Sequence, residues 1–217
     1  MIKMYGFWRS AATFRVRIAL NLKGLAFEET MIDLDAGDQT TPAYRDINPQ
    51  MAVPSLIVDD GPPLTQSLAI LEYLDEMHPH PPLLPSDARG RARARSLAPL
   101  WAADHHPLIV PRIRQYLEEQ LGQDEAARTA WICHWFRTGL VIGEQRLADE
   151  AGTGLFCQGD SATFADLCLV SQAVGARGFK VDFSDLPHIA RIVDHCMSLD
   201  AFARASPLRQ PGAPQSH

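Results

Sequence analysis

Cysteine is scarce in this chain, with four in 217 residues, and no two of them form a Cys-x-x-Cys, so a dithiol redox site is excluded. Cys133, Cys157, Cys168 and Cys196 are expected as buried or indifferent thiols. Basic charge is also in deficit. Lys and Arg number 20 against 26 Asp and Glu, a formal net charge of -6, and binding to a phosphate backbone needs the opposite balance, so nucleic acid is not expected as a partner. The local basic run Arg89, Arg91, Arg93, Arg95 has no interleaved aromatic residue for stacking on bases and reads as a solvated lead into a helix. No apolar run is long enough to cross a bilayer and no basic-then-apolar leader opens the chain, from which a cytoplasmic protein without membrane contact is expected. His78, His80, His105, His106 and His134 lack ligand spacing with Cys or carboxylates, so no metal site is expected. Internal repeats and low-complexity segments are absent too.

What is present begins with a strand running straight into a helix. Ile2-Lys3-Met4-Tyr5 alternates as a strand does, Gly6 permits a change of direction, and Val16, Ala19 and Leu20 recur at helical spacing. Ser10 therefore falls in the first turn of a helix, where free amides and the macrodipole favour an anion. On position alone its plain reading is a simple helix cap. Residues 27–33 predict a second strand, 42–47 a short helical piece, 53–58 a strand with a proline near its start, 64–65 a brief strand and 66–74 a buried helix. The proline-rich stretch 81–87 reads as a linker between a domain 1–80 and a domain 88–217. In the second domain, long helices are predicted over 91–121, disturbed at Pro99, Pro107 and Pro111, and over 124–151. Thr163 and Asp166 have capping-box spacing ahead of a buried helix, another helix starts at Pro187, and the tail 210–217 is expected to be loose. The fold class is α/β plus all-α: a βαβ-ββα unit with a mixed sheet, then a helical half.

Several of these stretches resemble the glutathione transferase superfamily and, within it, the zeta class. They are Phe7-Trp8-Arg9-Ser10, Arg15-Val16-Arg17-Ile18-Ala19-Leu20, Asn48-Pro49-Gln50, Val53-Pro54-Ser55-Leu56, Gln66-Ser67-Leu68-Ala69, Ala165-Asp166-Leu167 and Phe179-Lys180-Val181-Asp182. The resemblance implies a thioredoxin-like first domain, a helical second domain and a homodimer that binds glutathione. Pro54 would follow a cis bond and turn the Val53 backbone toward the cysteinyl unit. Gln66 and Ser67 would hold the γ-glutamyl carboxylate, although read without the family they are cap residues. Gln50 and Gln39 would reach the glycyl end, with Asp104 contributing through the partner subunit.

The same resemblance makes Ser10, assisted by the Ala11 and Ala12 amides, the group that stabilises the glutathione thiolate. It implies a cis-trans isomerase of maleylacetoacetate or maleylpyruvate in aromatic catabolism, working by thiolate addition, rotation and elimination. Arg9 and Arg112 would meet the developing enolate and the carboxylate, and His106 would donate a proton or orient water. Taken alone, His106 also suits a packed or solvent-facing ring, and Arg112 a surface ion pair. Many zeta enzymes carry Ser-Ser-Cys where this chain has Ser10-Ala11-Ala12, and an arginine where it has Gly178. Arg177 lies one residue earlier, roughly 100° round the helix. Two other functions remain open: a transferase or dehalogenase acting on small electrophiles such as α-halo acids, and a non-catalytic binding module.

Overall fold

The computed structural model describes residues 1–214, in two compact units: Met1–Pro82 together with the chain from Leu199 onward, and Leu83–Ser198. The first unit is built on a four-stranded mixed sheet of order β2-β1-β3-β4. In it β1 (Ile2–Gly6) runs parallel to β2 (Phe27–Met31) and antiparallel to β3 (Ser55–Val58), which pairs antiparallel with β4 (Leu64–Thr65). Parallel neighbours need a crossover, and α1 (Ala11–Leu22) supplies it. With α2 (Pro42–Ile47) and α3 (Ser67–Met77), this is the expected thioredoxin-like βαβ-ββα order. Strand β3 begins after Pro54, which has no amide to give to a ladder.

Every residue of α1 from Thr13 to Leu20 is buried, including Arg15 and Arg17, and α3 and α9 (Asp200–Ala205) pack on it. A helix apolar nearly all round is stable only inside a fold. Gly6 is needed for a different reason from the predicted one. Its φ is not positive; a Cβ there would collide with Glu29 and Thr13, so the glycine provides room. At the far end of α1 the buried Lys23 ammonium donates to Asp75 at 2.9 Å and to the carbonyls of His78 at 2.6 Å and Pro81 at 2.9 Å, tying helix end to helix end.

The second unit is helical: α4 (Ala88–Pro99), α5 (Pro111–Glu119), α6 (Glu125–Asp149), α7 (Phe164–Gly178) and α8 (Pro187–Ser198). The helix predicted over 91–121 is broken at the prolines expected to disturb it. Past Pro99 it widens into a π stretch, Leu100–His105, then tightens to a single turn, His106–Leu108, before Pro111 starts α5. Two further boundaries differ from expectation. The proline-rich segment is not a bare linker, since Leu83 and Leu84 are buried and the Leu83 carbonyl accepts from the Phe164 amide at 3.1 Å. The expected helical domain 88–217 loses its end to the first unit, because Phe202 and Ala205 are buried, α9 packs on α1, and the Asn21 side chain donates to the Ala201 carbonyl at 2.9 Å. Of the tail expected to be loose, Gln210 donates to the carbonyls of Arg204 and Ser206, while residues 215–217 lie outside the described residues.

The capping box forms as its spacing predicts. The fully buried Asp166 carboxylate accepts from the Thr163 amide and hydroxyl, both at 2.8 Å, and from the Cys157 amide at 2.7 Å, thereby also holding the loop before α7. Burial raises its pKa above the ordinary carboxylate value in spite of these donors. Asp166→Ala would strand three buried donors and is expected to cost about 3 kcal/mol of unfolding free energy in urea titrations; a loss below a few tenths of that would refute the assignment.

Candidate functional site

Between β1 and α1 the chain makes a tight turn. The Ser10 amide donates to the Phe7 carbonyl at 3.1 Å, and Ser10 is the N-cap of α1 with φ -68° and ψ 119°. Its Oγ accepts from the Thr13 amide at 3.2 Å. Cap and anion-site readings are therefore compatible: a hydroxyl that accepts through its oxygen still has its own proton to donate. Ser10, Ala11 and Ala12 are half-buried, so the helix start remains accessible. Two elements below fix the turn. Thr13 Oγ1 accepts from the Phe7 amide at 3.4 Å, and Phe7 sits in a small core with Ile32, Tyr44 and Val53.

A second loop of the same unit carries the cis Val53-Pro54 bond, as expected. Its course is set by Tyr44 and Asn48, which sequence reasoning passed over: both donate to the Ala52 carbonyl, at 2.7 and 2.8 Å, and both reach Ser55 Oγ, at 3.1 and 3.3 Å. Desolvation accordingly raises the Tyr44 phenol pKa. Gln50 caps this loop region, its amide donating to Asn48 Oδ1 at 3.0 Å, and its side-chain oxygen accepts from Gln66 Nε2 at 2.9 Å. The cap reading of Gln66 does not hold for its side chain, which makes no capping bond to α3. Its backbone instead stands at φ 69°, ψ 112°, a conformation a non-glycine residue rarely adopts, costing about 1–3 kcal/mol. The buried Ser67 follows, and its Oγ accepts from Arg15 Nη1 at 3.0 Å. Gln39 donates to the Leu34 carbonyl at 3.4 Å, with its Oε1 buried and unpartnered among the described residues.

The remaining candidates have other settings. Arg9 is paired with Asp35, its guanidinium 5.5 Å from the Phe7 ring centre and 5.8 Å from that of Trp8. In the second unit Asp104 is exposed on the π stretch, and His106 is half-buried at the start of the turn that follows. Arg112 is exposed on α5 and has no ion pair among the described residues, unlike the surface bridge its sequence alone allowed. Arg177 is engaged: it donates to Asp194 at 2.7 Å and lies 5.1 Å from the Phe183 ring centre, and a Cβ on Gly178 would meet nothing within 4 Å. Among the described residues no cluster of three or more His, Cys, Asp or Glu suits a metal ion, and no helix is long and apolar enough to cross a membrane.

A thioredoxin-like unit with a serine-capped first helix, joined to a helical unit, is the architecture of glutathione S-transferases. The family model for the glutathione S-transferase N-terminal domain matches residues 9–77. A maleylpyruvate isomerase of Ralstonia sp is 44% identical over 211 residues, covering 97% of this chain and 99% of that protein. The crystal structure of a maleylacetoacetate isomerase from Methylobacterium extorquens AM1, with bound malonate and GSH, matches with a TM-score of 0.97 at 58% identity, over 98% of this chain and 100% of that one. The holo structure of a maleylpyruvate isomerase, a bacterial zeta-class glutathione S-transferase, gives 0.94 at 42% identity, over 98% of this chain and 100% of that one. The chain belongs to the zeta class of the glutathione S-transferase family.

The strain at Gln66 is open to measurement. Gln66→Gly, which removes the Cβ from a positive-φ position, is expected to raise the unfolding free energy by about 1 kcal/mol. A clear loss of stability in equilibrium denaturation would mean that the backbone there is relaxed.

Proposed function

We propose that this protein is a glutathione-dependent cis-trans isomerase of maleylacetoacetate or maleylpyruvate, acting in aromatic catabolism as a cytoplasmic homodimer. The observation that carries the reading is the Ser10 hydroxyl, whose oxygen is occupied by the Thr13 amide while its proton is left to donate. The site fits glutathione on its own chemistry. It offers a hydroxyl donor at a helix start, a paired Gln50 and Gln66, a buried Ser67 at the start of α3, and a Gln39 oxygen that has no partner among the described residues and can accept an N–H. Glutathione, when bound, supplies a sulfur nucleophile able to add reversibly to a conjugated double bond and so free it to rotate.

The protein's own groups do the rest. Ser10 donates to the sulfur and, with the Ala11 and Ala12 amides and the α1 dipole, favours its ionised form. Val53 offers backbone groups to the cysteinyl unit, Gln66 and Ser67 receive the γ-glutamyl carboxylate, and Gln50 and Gln39 receive the glycyl end, aided by Asp104 of the partner subunit. Arg9 and Arg112 bind the substrate carboxylate and the developing enolate, since a guanidinium fork matches a carboxylate. His106 donates a proton or orients water. Arg177 would join them only by giving up Asp194.

That engaged arginine beside an open Gly178 also supports a second reading, a transferase or dehalogenase acting on small α-halo acids. The two separate in one assay. Mixed with glutathione and a maleyl diketo acid, the enzyme is expected to change the enedione absorbance; no change at high enzyme concentration would end the isomerase reading, and halide release from a chloroacid would support its rival. Ser10→Ala is expected to lose at least about a hundredfold in kcat with glutathione still bound. A variant as active as the parent would leave Ser10 a structural cap, whereas a parent without turnover in either assay would favour the non-catalytic module.

A further inference from the structure

Arg17 lies on α1 and is not among the residues assigned to glutathione or to the substrate. It is 1% exposed, and a guanidinium cannot shed its charge, so every donor must find an acceptor. Nε donates to Glu29 Oε2 at 2.8 Å and Nη2 to the other Glu29 oxygen, a two-pronged pair. The outer edges of the fork go elsewhere. Nη1 donates to the Trp8 carbonyl and Nη2 to the Phe7 carbonyl, both at 3.2 Å. The Phe7 carbonyl is also the acceptor of the Ser10 amide at 3.1 Å. One oxygen thus joins the buried cation to the residue that presents the reactive hydroxyl. The loop closes through Thr13, which accepts from the Phe7 amide and donates its own amide to Ser10 Oγ.

We propose that Arg17 is the positioning residue of the Ser10 turn: braced by Glu29, it fixes the Phe7 and Trp8 carbonyls, and through them the direction of the Ser10 hydroxyl. The inference rests on the reading of Ser10 as the donor to the glutathione sulfur. An ion pair needed only to neutralise charge would be complete with Glu29. The two carbonyl bonds are additional, and they go to residues 7 and 8, which no strand or helix orients. Glu29 keeps its place because Gly6 has no side chain to displace it. A lysine preserves the charge but presents one nitrogen where the planar fork serves four acceptor atoms.

The test is the thiol pKa of bound glutathione, followed by the ultraviolet absorbance of its thiolate, with kcat and KM for glutathione. Arg17→Lys is expected to raise that pKa by about one unit and to lower kcat about tenfold, with KM within about twofold, since the binding residues are untouched. In a Ser10→Ala background the same change is expected to add nothing, because its effect passes through Ser10. A folded Arg17→Lys with unaltered pKa and kcat, or one that still acts without Ser10, overturns the proposal. If Ser10→Ala itself leaves the pKa unmoved, the underlying function is at fault rather than Arg17. Should Arg17→Lys fail to fold, Glu29→Asp decides: shortening the brace at constant charge is expected to raise the thiol pKa by a fraction of a unit, and no rise refutes the role.

Discussion

A helix buried along eight consecutive residues has nowhere to hide a charge except against a partner, and α1 hides two. Arg15 and Arg17 are two residues apart, about 200° round the helix axis, so they leave it on opposite sides. One reaches Ser67 at the start of α3; the other reaches Glu29 on β2 and the carbonyls of the turn before Ser10. The ends of α3 and α1 that form the candidate site are thereby tied to a single rigid core element. Apolar side chains in place of the two forks would still fill the space around α1, but both helix starts would be released. The charges are better understood as constraints on geometry than as a source of stability, since a buried ion pair seldom repays its desolvation.

This core also explains why the first unit was largely legible from the sequence. The change from alternation in Ile2 to Tyr5 to helical spacing after Ser10 is a local signal, and Pro54 and Pro42 mark their elements for local reasons. What could not be read locally was everything fixed at long range. Arg17 finds Glu29 on a different element, Tyr44 and Asn48 shape the cis-proline loop through the Ala52 carbonyl, and Gln66 holds a strained backbone while its side chain turns to Gln50. Spacing showed a helix start at Gln66 and assigned its side chain the commonest duty there. The strain at φ 69° is visible only in the folded chain, and it sets Gln66 apart from an ordinary cap residue.

In the second unit, the long helix 124–151 was legible because nothing interrupts its period, and the box at Thr163 and Asp166 because it is four residues long. In the stretch 91–121 the prolines announce where the helix is disturbed but not how. Prolines 99, 107 and 111 each remove a donor, and the chain answers by widening and then tightening its winding rather than by one kink. Helix α9 went unseen because only six residues long, with two of them buried, it has no periodicity to show; its place is set by Phe202 and Ala205 packing with α1.

The two sides of the proposed reaction consequently rest on unequal foundations. Of the groups assigned to glutathione, Ser10, Ser67, Gln50 and Gln66 are held by hydrogen bonds that run to α1 and the loop before β3, so that a change at one is felt by others. The groups assigned to the electrophile are single side chains: Arg9 leaning on Asp35, Arg112 without an ion pair among the described residues, Arg177 already engaged by Asp194. A network of mutual constraints admits few substitutions, whereas an isolated surface cation can be exchanged without disturbing the fold. Divergence within such an architecture would therefore change what is acted upon before it changes the sulfur that acts, because the open space at Gly178 and the exposed pairing of Arg177 leave that half replaceable.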